Sequence, residues 1–270
     1  MLIESFKKYI PNFIKFPGWY LFKAPQRKLG WYTLLLDIKG ILSFCWYSVF
    51  PVKRLEPISI CVGLFNRSEL FLGAFLPSLN QCNNSRLIEL SVFDCGSADV
   101  KNLQGEIRKI FKGELIFSAE NVKFSRSYAF NRAVKQSSHQ KLFICDADFS
   151  IPVNLVQLCN NYTVANTAWF PIVFYLYKNK PAVFGKNNGE WMNWGGKGIL
   201  ACNKKNFEEV GMLDENFTTW GYEDEDLWIR FYKSDICIIR SRCKNLLHHW
   251  HPSLNLKYIK LEELADKGLL

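Results

Sequence analysis

No C-x-x-C pair occurs among the nine cysteines, which stand at 45, 61, 82, 95, 145, 159, 202, 237 and 243, so zinc-ribbon and thioredoxin-like chemistry has no support. Cys61, Cys145 and Cys237 sit inside apolar runs, where a thiol behaves as a small hydrophobe. No G-x-G-x-x-G and no Walker lysine loop follows the first apolar strand pattern, which removes dinucleotide and P-loop nucleotide binding. Signal-peptide character is missing, because charges and prolines break every apolar run before residue 30. With an odd cysteine count this predicts a reducing, cytoplasmic setting. Bilayer-spanning runs are missing too. In WYTLLLDIKGILSFCWYSVFPV, Asp37 and Lys39 split the apolar stretch, and the remainder from Gly40 to Val52 is short for a span. Histidine is scarce at four residues, yet His248, His249 and His251 fall within one short stretch.

Positive charge is present but unevenly spread. Residues 1–54 hold nine basic side chains (Lys7, Lys8, Lys15, Lys23, Arg27, Lys28, Lys39, Lys53, Arg54) against Glu4 and Asp37, which accounts for seven of the net +9. The remainder is nearly neutral, so a nucleic-acid partner is not expected. Basic residues among Trp19, Tyr20, Trp31, Trp46 and Tyr47 suit the headgroup region of an anionic leaflet. The expected layout is a basic aromatic segment, 1–54, attached peripherally to the inner face of the cell membrane, or else with its aromatics packed on the main domain and its lysines solvated, followed by one domain, 55–270.

From residue 57 strand and helix patterns alternate. PISICVGLF, LIELSVFDC, GELIFSAE and KLFICDAD read as four strands, and SELFLGAFLPSLNQC, VKNLQGEIRKIF and SYAFNRAVKQS as the helices between them, with Ser68 expected as a cap and a break near Pro77. Repeated β-α units imply a mainly parallel α/β sheet flanked by helices. Such sheets bind ligands beyond the C-terminal ends of their strands. Asn66 and Arg67, Asp94, and Asp146 with Asp148 all fall at those ends.

Two acidic clusters carry the chemistry. In an extended segment Asp146 and Asp148 face one side. Two carboxylates so close repel unless a cation or shared proton holds them, and oxygen ligands suit Mg²⁺ or Mn²⁺. Taken alone, D-x-D is also what a solvated strand end carries. The second cluster, Glu223–Asp226, opens a helix after Trp220-Gly221-Tyr222. Acids favour a helix N-terminus in any case, but four exceed what capping needs. A carboxylate on a first helical turn is also placed to act as a general base. The histidine run adds imidazole ligands. EWMNWGGKG, with glycines beside two tryptophans, suits a segment closing over a donor, or equally an ordinary aromatic turn.

In order along the chain, VGLFNRSEL, VFDCGSAD, FSRSYAFNRAV, CDADF, GKGILACNKKNFEEVGMLDENFTTWGYEDEDLWIRF and HHWHP resemble the GT-A nucleotide-sugar glycosyltransferases. More narrowly they are similar to bacterial family-2 capsule and chondroitin-type polymerising transferases and to the β-1,4-galactosyltransferase C-terminal module, over roughly residues 57–252. The resemblance implies a Rossmann-like GT-A sheet in a catalytic domain, 55–270, with a nucleotide-binding half, 55–150, and an acceptor-binding half, 151–270. It also implies an inverting transfer of a hexose or N-acetylhexosamine from a UDP-sugar to a glycan or lipid-linked glycan, in O-antigen or capsule synthesis. It implies donor contacts from Asn66, Arg67, Asp94, Arg126, Asn131 and Asp146. Metal contacts, Mn²⁺ or Mg²⁺, fall to Asp148 directly, to Asp146 directly or through water, and to His251 or His248. Asp224 becomes the base, Glu223 an acceptor-orienting group, and Trp194, Trp220 and Tyr222 a sugar-stacking surface. The loop after the first strand, Gly63 to Arg67, lacks one basic residue found in the galactosyltransferases. A nucleotidyltransferase would need a glycine-rich loop there. A non-catalytic scaffold of the same fold would be expected to have lost acids that this chain keeps.

Overall fold

The computed structural model describes residues 31–164, 166–193, 196–218 and 221–252. Most of the basic aromatic segment, residues 1–30, lies outside these, as do Trp194 and Trp220. Among the described residues a nine-stranded mixed sheet organises the chain. Strands β1 (Ile58–Leu64), β2 (Ile88–Asp94), β3 (Glu114–Ala119) and β4 (Lys141–Ile144) form its parallel half, in the order β3-β2-β1-β4. Every residue of β2 and β4 is buried, which is why these strands read as continuous apolar runs rather than alternating ones.

The linking helices follow the expected order. The first, α2 (residues 68–80), differs from its expected form in two ways. Asp99, not Ser68, supplies the capping carboxylate: it accepts from the Ser68 backbone amide and from Ser68 Oγ, both at 2.8 Å. Pro77 does not end the helix. Proline cannot donate to the ladder and crowds the carbonyl four residues back, and the chain answers by widening into a π turn over Phe71–Phe75 before resuming as Leu76–Asn80. Helices α3 (Leu103–Ile110) and α4 (Arg126–Gln136) complete the half, and Ser125 Oγ caps α4 through the Tyr128 amide.

The expected parallel character stops at β4. Beyond it β8 (Leu200–Asn203) and then β6 (Thr167–Leu176) add antiparallel, and β9 (Cys237–His248) adds parallel to β6. Short β5 (Phe149–Ser150) and β7 (Gly189–Trp191) pair antiparallel with β9 and β6. Helices α5 (Leu155–Tyr162), α6 (Lys204–Glu209) and α7 (Glu223–Lys233) serve this half. Two cores result, one on each face. Ile58, Ile60, Val62 and Leu64 of β1 point into one, while Cys61 joins Phe130, Phe170 and Trp228 in the other.

Part of the N-terminal segment belongs to this body. Helix α1 (Trp31–Val49) lies along the open edge of β9. A Cβ on Gly40 would stand 2.1 Å from the Ile238 carbonyl oxygen, so only glycine allows the backbones this close. Leu36 packs into one core, Phe44 and Tyr47 against the other, so the helix crosses the sheet edge. Asp37 is buried and accepts a short hydrogen bond from the Tyr232 hydroxyl. Such cover protects an edge strand from pairing with another chain.

Candidate active site

Two charge centres meet where β4 ends. The strand stops at Ile144 and the chain turns at Ala147–Asp148, so the expected extended pair does not form. Its two carboxylates are instead held by different partners. Asp146 takes a bidentate ion pair from Arg126, with Nε–Oδ1 2.9 Å and Nη2–Oδ2 3.0 Å. Arg126 opens α4, and its guanidinium is fixed on all sides: Nη2 also donates to the Gly198 carbonyl at 2.8 Å, Nη1 reaches Glu223 at 3.4 Å, and the Phe130 ring lies 4.6 Å beneath. A side chain at Gly198 would strike this guanidinium. Burial alone would lower the Arg126 pKa, but Asp146, Glu223 and Asp224 outweigh it and hold the cation above its ordinary value.

The second centre is Asp148 with His248 and His251. His251 Nε2 lies 2.8 Å from Asp148 Oδ2, and His248 Nε2 lies 3.7 Å from Oδ1. The three ligand atoms stand within 4.8 Å of one another. Asp148 is buried, and burial would raise its carboxyl; the His251 hydrogen bond and the two imidazoles outweigh that and lower it. His251 is raised by the same bond, whereas burial lowers His248. Asp148 Oδ1 is buried without a hydrogen-bond partner. A buried carboxylate oxygen left so is costly, and one carboxylate with two imidazoles is a donor set that suits a divalent metal ion. These residues therefore fit a divalent ion. Asp146, expected in the same cluster, is outside it, because Arg126 occupies both its oxygens. His249 does not join either; its ring meets Ser150 Oγ at 2.7 Å and its backbone amide donates to the Asp148 carbonyl at 2.9 Å.

The strand-end loops form the adjoining wall. Asp94 is buried and accepts from the Ser97 amide at 3.1 Å and from its hydroxyl at 2.5 Å. Asn66, at φ 50°, donates its amide to Ser97 Oγ and accepts from the Ala98 amide, each at 2.9 Å. Arg67 donates to the Pro252 carbonyl at 2.9 Å and so ties this loop to the histidine run. Asn131 lies elsewhere. It is buried and its amide is spent on the turn after α6, with Nδ2 donating to the Leu213 carbonyl at 2.8 Å and to Glu215 at 2.9 Å.

Helix α7 closes the opposite side. Tyr222 precedes it with φ 69°, and its first turn carries all four acids. Glu223 is buried, not turned outward: Oε1 faces Arg126, and Oε2 accepts from the Gly221 amide at 2.9 Å. Burial raises its pKa and Arg126 offsets part of the rise. Asp224 is half-buried, with Oδ1 accepting the Glu225 amide at 3.0 Å. Glu225 grips the buried Lys197 Nζ at 2.5 and 2.6 Å, which anchors the glycine-rich segment to the helix.

Two features had gone unremarked in the sequence. Tyr175, on β6, pairs in register with His248 and stacks on its ring at 4.2 Å. Its phenol is pushed up to about 12 by burial and then by Asp146 and Asp148. Nothing in an apolar strand marks such a tyrosine; only the register does. Beside it, Phe184 and Trp191 form a tilted pair at 5.3 Å, with Arg242 over Trp191 at 5.2 Å, while Lys178 lies 4.7 Å from the exposed Trp250 ring.

A parallel strand set with polar strand ends, extended by an antiparallel half and closed by a carboxylate–histidine cluster, is the fold of the GT-A glycosyltransferases. The chain matches the family described as chondroitin N-acetylgalactosaminyltransferase over residues 62–257, and it belongs to that family. It is 27% identical over 218 residues to human chondroitin sulfate synthase 3, covering 73% of this chain and 25% of that protein. With human chondroitin sulfate N-acetylgalactosaminyltransferase 2 it shares 23% over 217 residues, covering 72% of this chain and 40% of the relative. The chain thus spans less than half the length of these relatives. Among solved structures, S. aureus TarS 1–349 in complex with UDP superposes with TM-score 0.56 at 15% identity, covering 73% of this chain and 61% of that one. A Pyrobaculum calidifontis mannosyltransferase in complex with GDP-Man and Mn²⁺ gives 0.51 at 13%, covering 81% and 65%. These likenesses establish the fold.

Proposed function

We propose that the protein transfers a hexose or N-acetylhexosamine from a UDP-sugar to a glycan hydroxyl with inversion at the anomeric carbon. The observation that carries this is the Asp148 carboxylate facing two imidazoles, with its buried Oδ1 lacking a hydrogen bond, at the C-terminal edge of a nucleotide-type sheet. Asp148, His248 and His251 would hold Mn²⁺ or Mg²⁺. Bound there, the ion supplies positive charge against the diphosphate that departs. The uridine and ribose fall to the Asn66–Asp94 loops. Arg126 fixes Asp146 and Glu223, keeping the centre pre-organised. Asp224 accepts the proton of the attacking hydroxyl as its oxygen bonds the anomeric carbon and the bond to UDP breaks. Tyr222, beside Glu223, and the exposed Trp250 offer sugar-stacking faces.

The motif resemblance supports a lipid-linked bacterial surface glycan, O-antigen or capsule, as the setting, and the basic N-terminal composition supports a cytoplasmic membrane surface. The relatives named above are human, and they support the glycan chemistry rather than that setting. The test is UDP release from a panel of UDP-sugars with and without Mn²⁺, with Asp148→Ala and Asp224→Asn alongside. Metal-dependent release with one preferred sugar, lost in Asp148→Ala, is expected. Asp224→Asn should bind donor yet transfer nothing. No release and no metal-dependent UDP binding by folded protein would leave a scaffold of this fold as the better description.

A further inference from the structure

The outer face of α1 has no partner among the described residues. Leu35, Ile38, Leu42, Trp46 and Val49 are 64, 44, 64, 59 and 68% exposed, and Phe50 follows at 56%. Spacings of three and four put the first five on one stripe. The opposite stripe, Leu36, Asp37 and Gly40, is the one pressed on the domain. So much contiguous apolar surface marks an interaction site on a soluble domain.

Charge indicates what covers it. The helix has one acid, Asp37, and it is buried on the inner side under Tyr232. Lys39, Lys53 and Arg54 are exposed. The sequence before the helix adds Lys7, Lys8, Lys15, Lys23, Arg27 and Lys28 against Glu4. A basic rim around an apolar, tryptophan-bearing stripe matches an anionic bilayer. No described helix is long and apolar enough to cross a membrane. We propose that α1 is an interfacial helix that lies on an anionic lipid surface, its inner stripe locked to β9 and its outer stripe buried among lipid headgroups and upper acyl chains. This does not depend on the transferase reading.

The test is co-sedimentation of the full chain with vesicles of phosphatidylcholine alone or with about one third phosphatidylserine. Binding to the anionic vesicles that weakens with salt is expected. The double variant Leu42→Glu/Trp46→Glu, at solvent-facing positions, should bind about tenfold more weakly with an unchanged melting temperature. Three results would overturn the proposal: no binding by the parent protein, binding by the double variant equal to the parent (residues 1–30 acting alone), or lipid-free dimerisation abolished by the variant (a second copy covering the face). UDP-sugar hydrolysis by the same variant in solution reads the transferase activity separately.

Discussion

Asp146 and Asp148 are separated by one alanine, yet they live in opposite electrostatic settings. Asp146 is saturated by the fork of Arg126, which is itself braced by Glu223 and Gly198. Asp148 faces two imidazoles and keeps one oxygen without a partner. The first centre is complete in itself; the second has the donor set a cation would take. One turn of backbone thus yields a rigid strut and an open ligand, and the difference comes from which element faces each carboxylate: α4 for Asp146, the end of β9 for Asp148.

The strongest way to break the contrast is to remove the strut. Arg126→Ala leaves two carboxylates facing each other in a mostly buried site, and a loss of about 3–5 kcal/mol is expected, read as a lowered denaturant midpoint. Arg126→Lys keeps charge but not the fork, and should recover only part. If Arg126→Ala unfolds at the parent midpoint, Arg126 is not the brace described here. On the open side His251→Ala should weaken Mn²⁺ binding at least about tenfold by calorimetry and, by taking a partner from the buried Asp148, lower the metal-free denaturant midpoint as well.

Acidity separates the centres further. A proton must leave His251 before its nitrogen can ligate. Its raised pKa means that Mn²⁺ affinity should fall as pH drops through the histidine range, and His251→Ala should flatten that slope. Without metal the sign reverses. The raised His251 contributes stability that is full below its unfolded pKa and lost as pH rises through the folded one. The lowered Asp148 contributes stability that is present above its own unfolded pKa and lost as pH falls through the folded one. Added Mn²⁺ should therefore raise the melting temperature more at pH 8 than at pH 5.5.

The smallest expected effect lies far from both centres. Burial raises Asp37 to about 6, with the Tyr232 hydrogen bond offsetting part of this. A carboxyl raised in the fold binds more protons folded than unfolded between pH 4 and 6, so stability falls as pH rises through that window and stays reduced above it. Asp37→Asn should then gain about 1–2 kcal/mol at pH 7.5 and nothing at pH 4. Equal melting temperatures for variant and parent at pH 7.5 would refute it.

The parallel half was legible because its strands are largely buried and end on polar residues. β1, β2 and β4 announce themselves as apolar runs, and Asn66, Asp94 and Asp148 fall where such sheets bind ligands. The other half was not. β6 and β9 are ten- and twelve-residue strands that bracket loops and helices, and no local pattern reveals that one runs beside the other. Tyr175 was invisible for that reason. The D-x-D geometry misled because an extended segment was assumed where the chain turns. Asn131 misled because its amide serves a turn some eighty residues later along the chain. Glu223 was recognisable as special, but not its burial, which depends on Arg126 arriving from α4.

The placement of α1 carries a last consequence. It meets β9 at Ile238 and α7 at Tyr232, while the site uses the far ends of those same two elements, His248 and Glu223. Ten residues of strand separate Ile238 from His248, a length of roughly 30 Å. If α1 rests on lipid, the bilayer contact and the candidate site sit toward opposite ends of the same strand and helix, set apart by the length of β9.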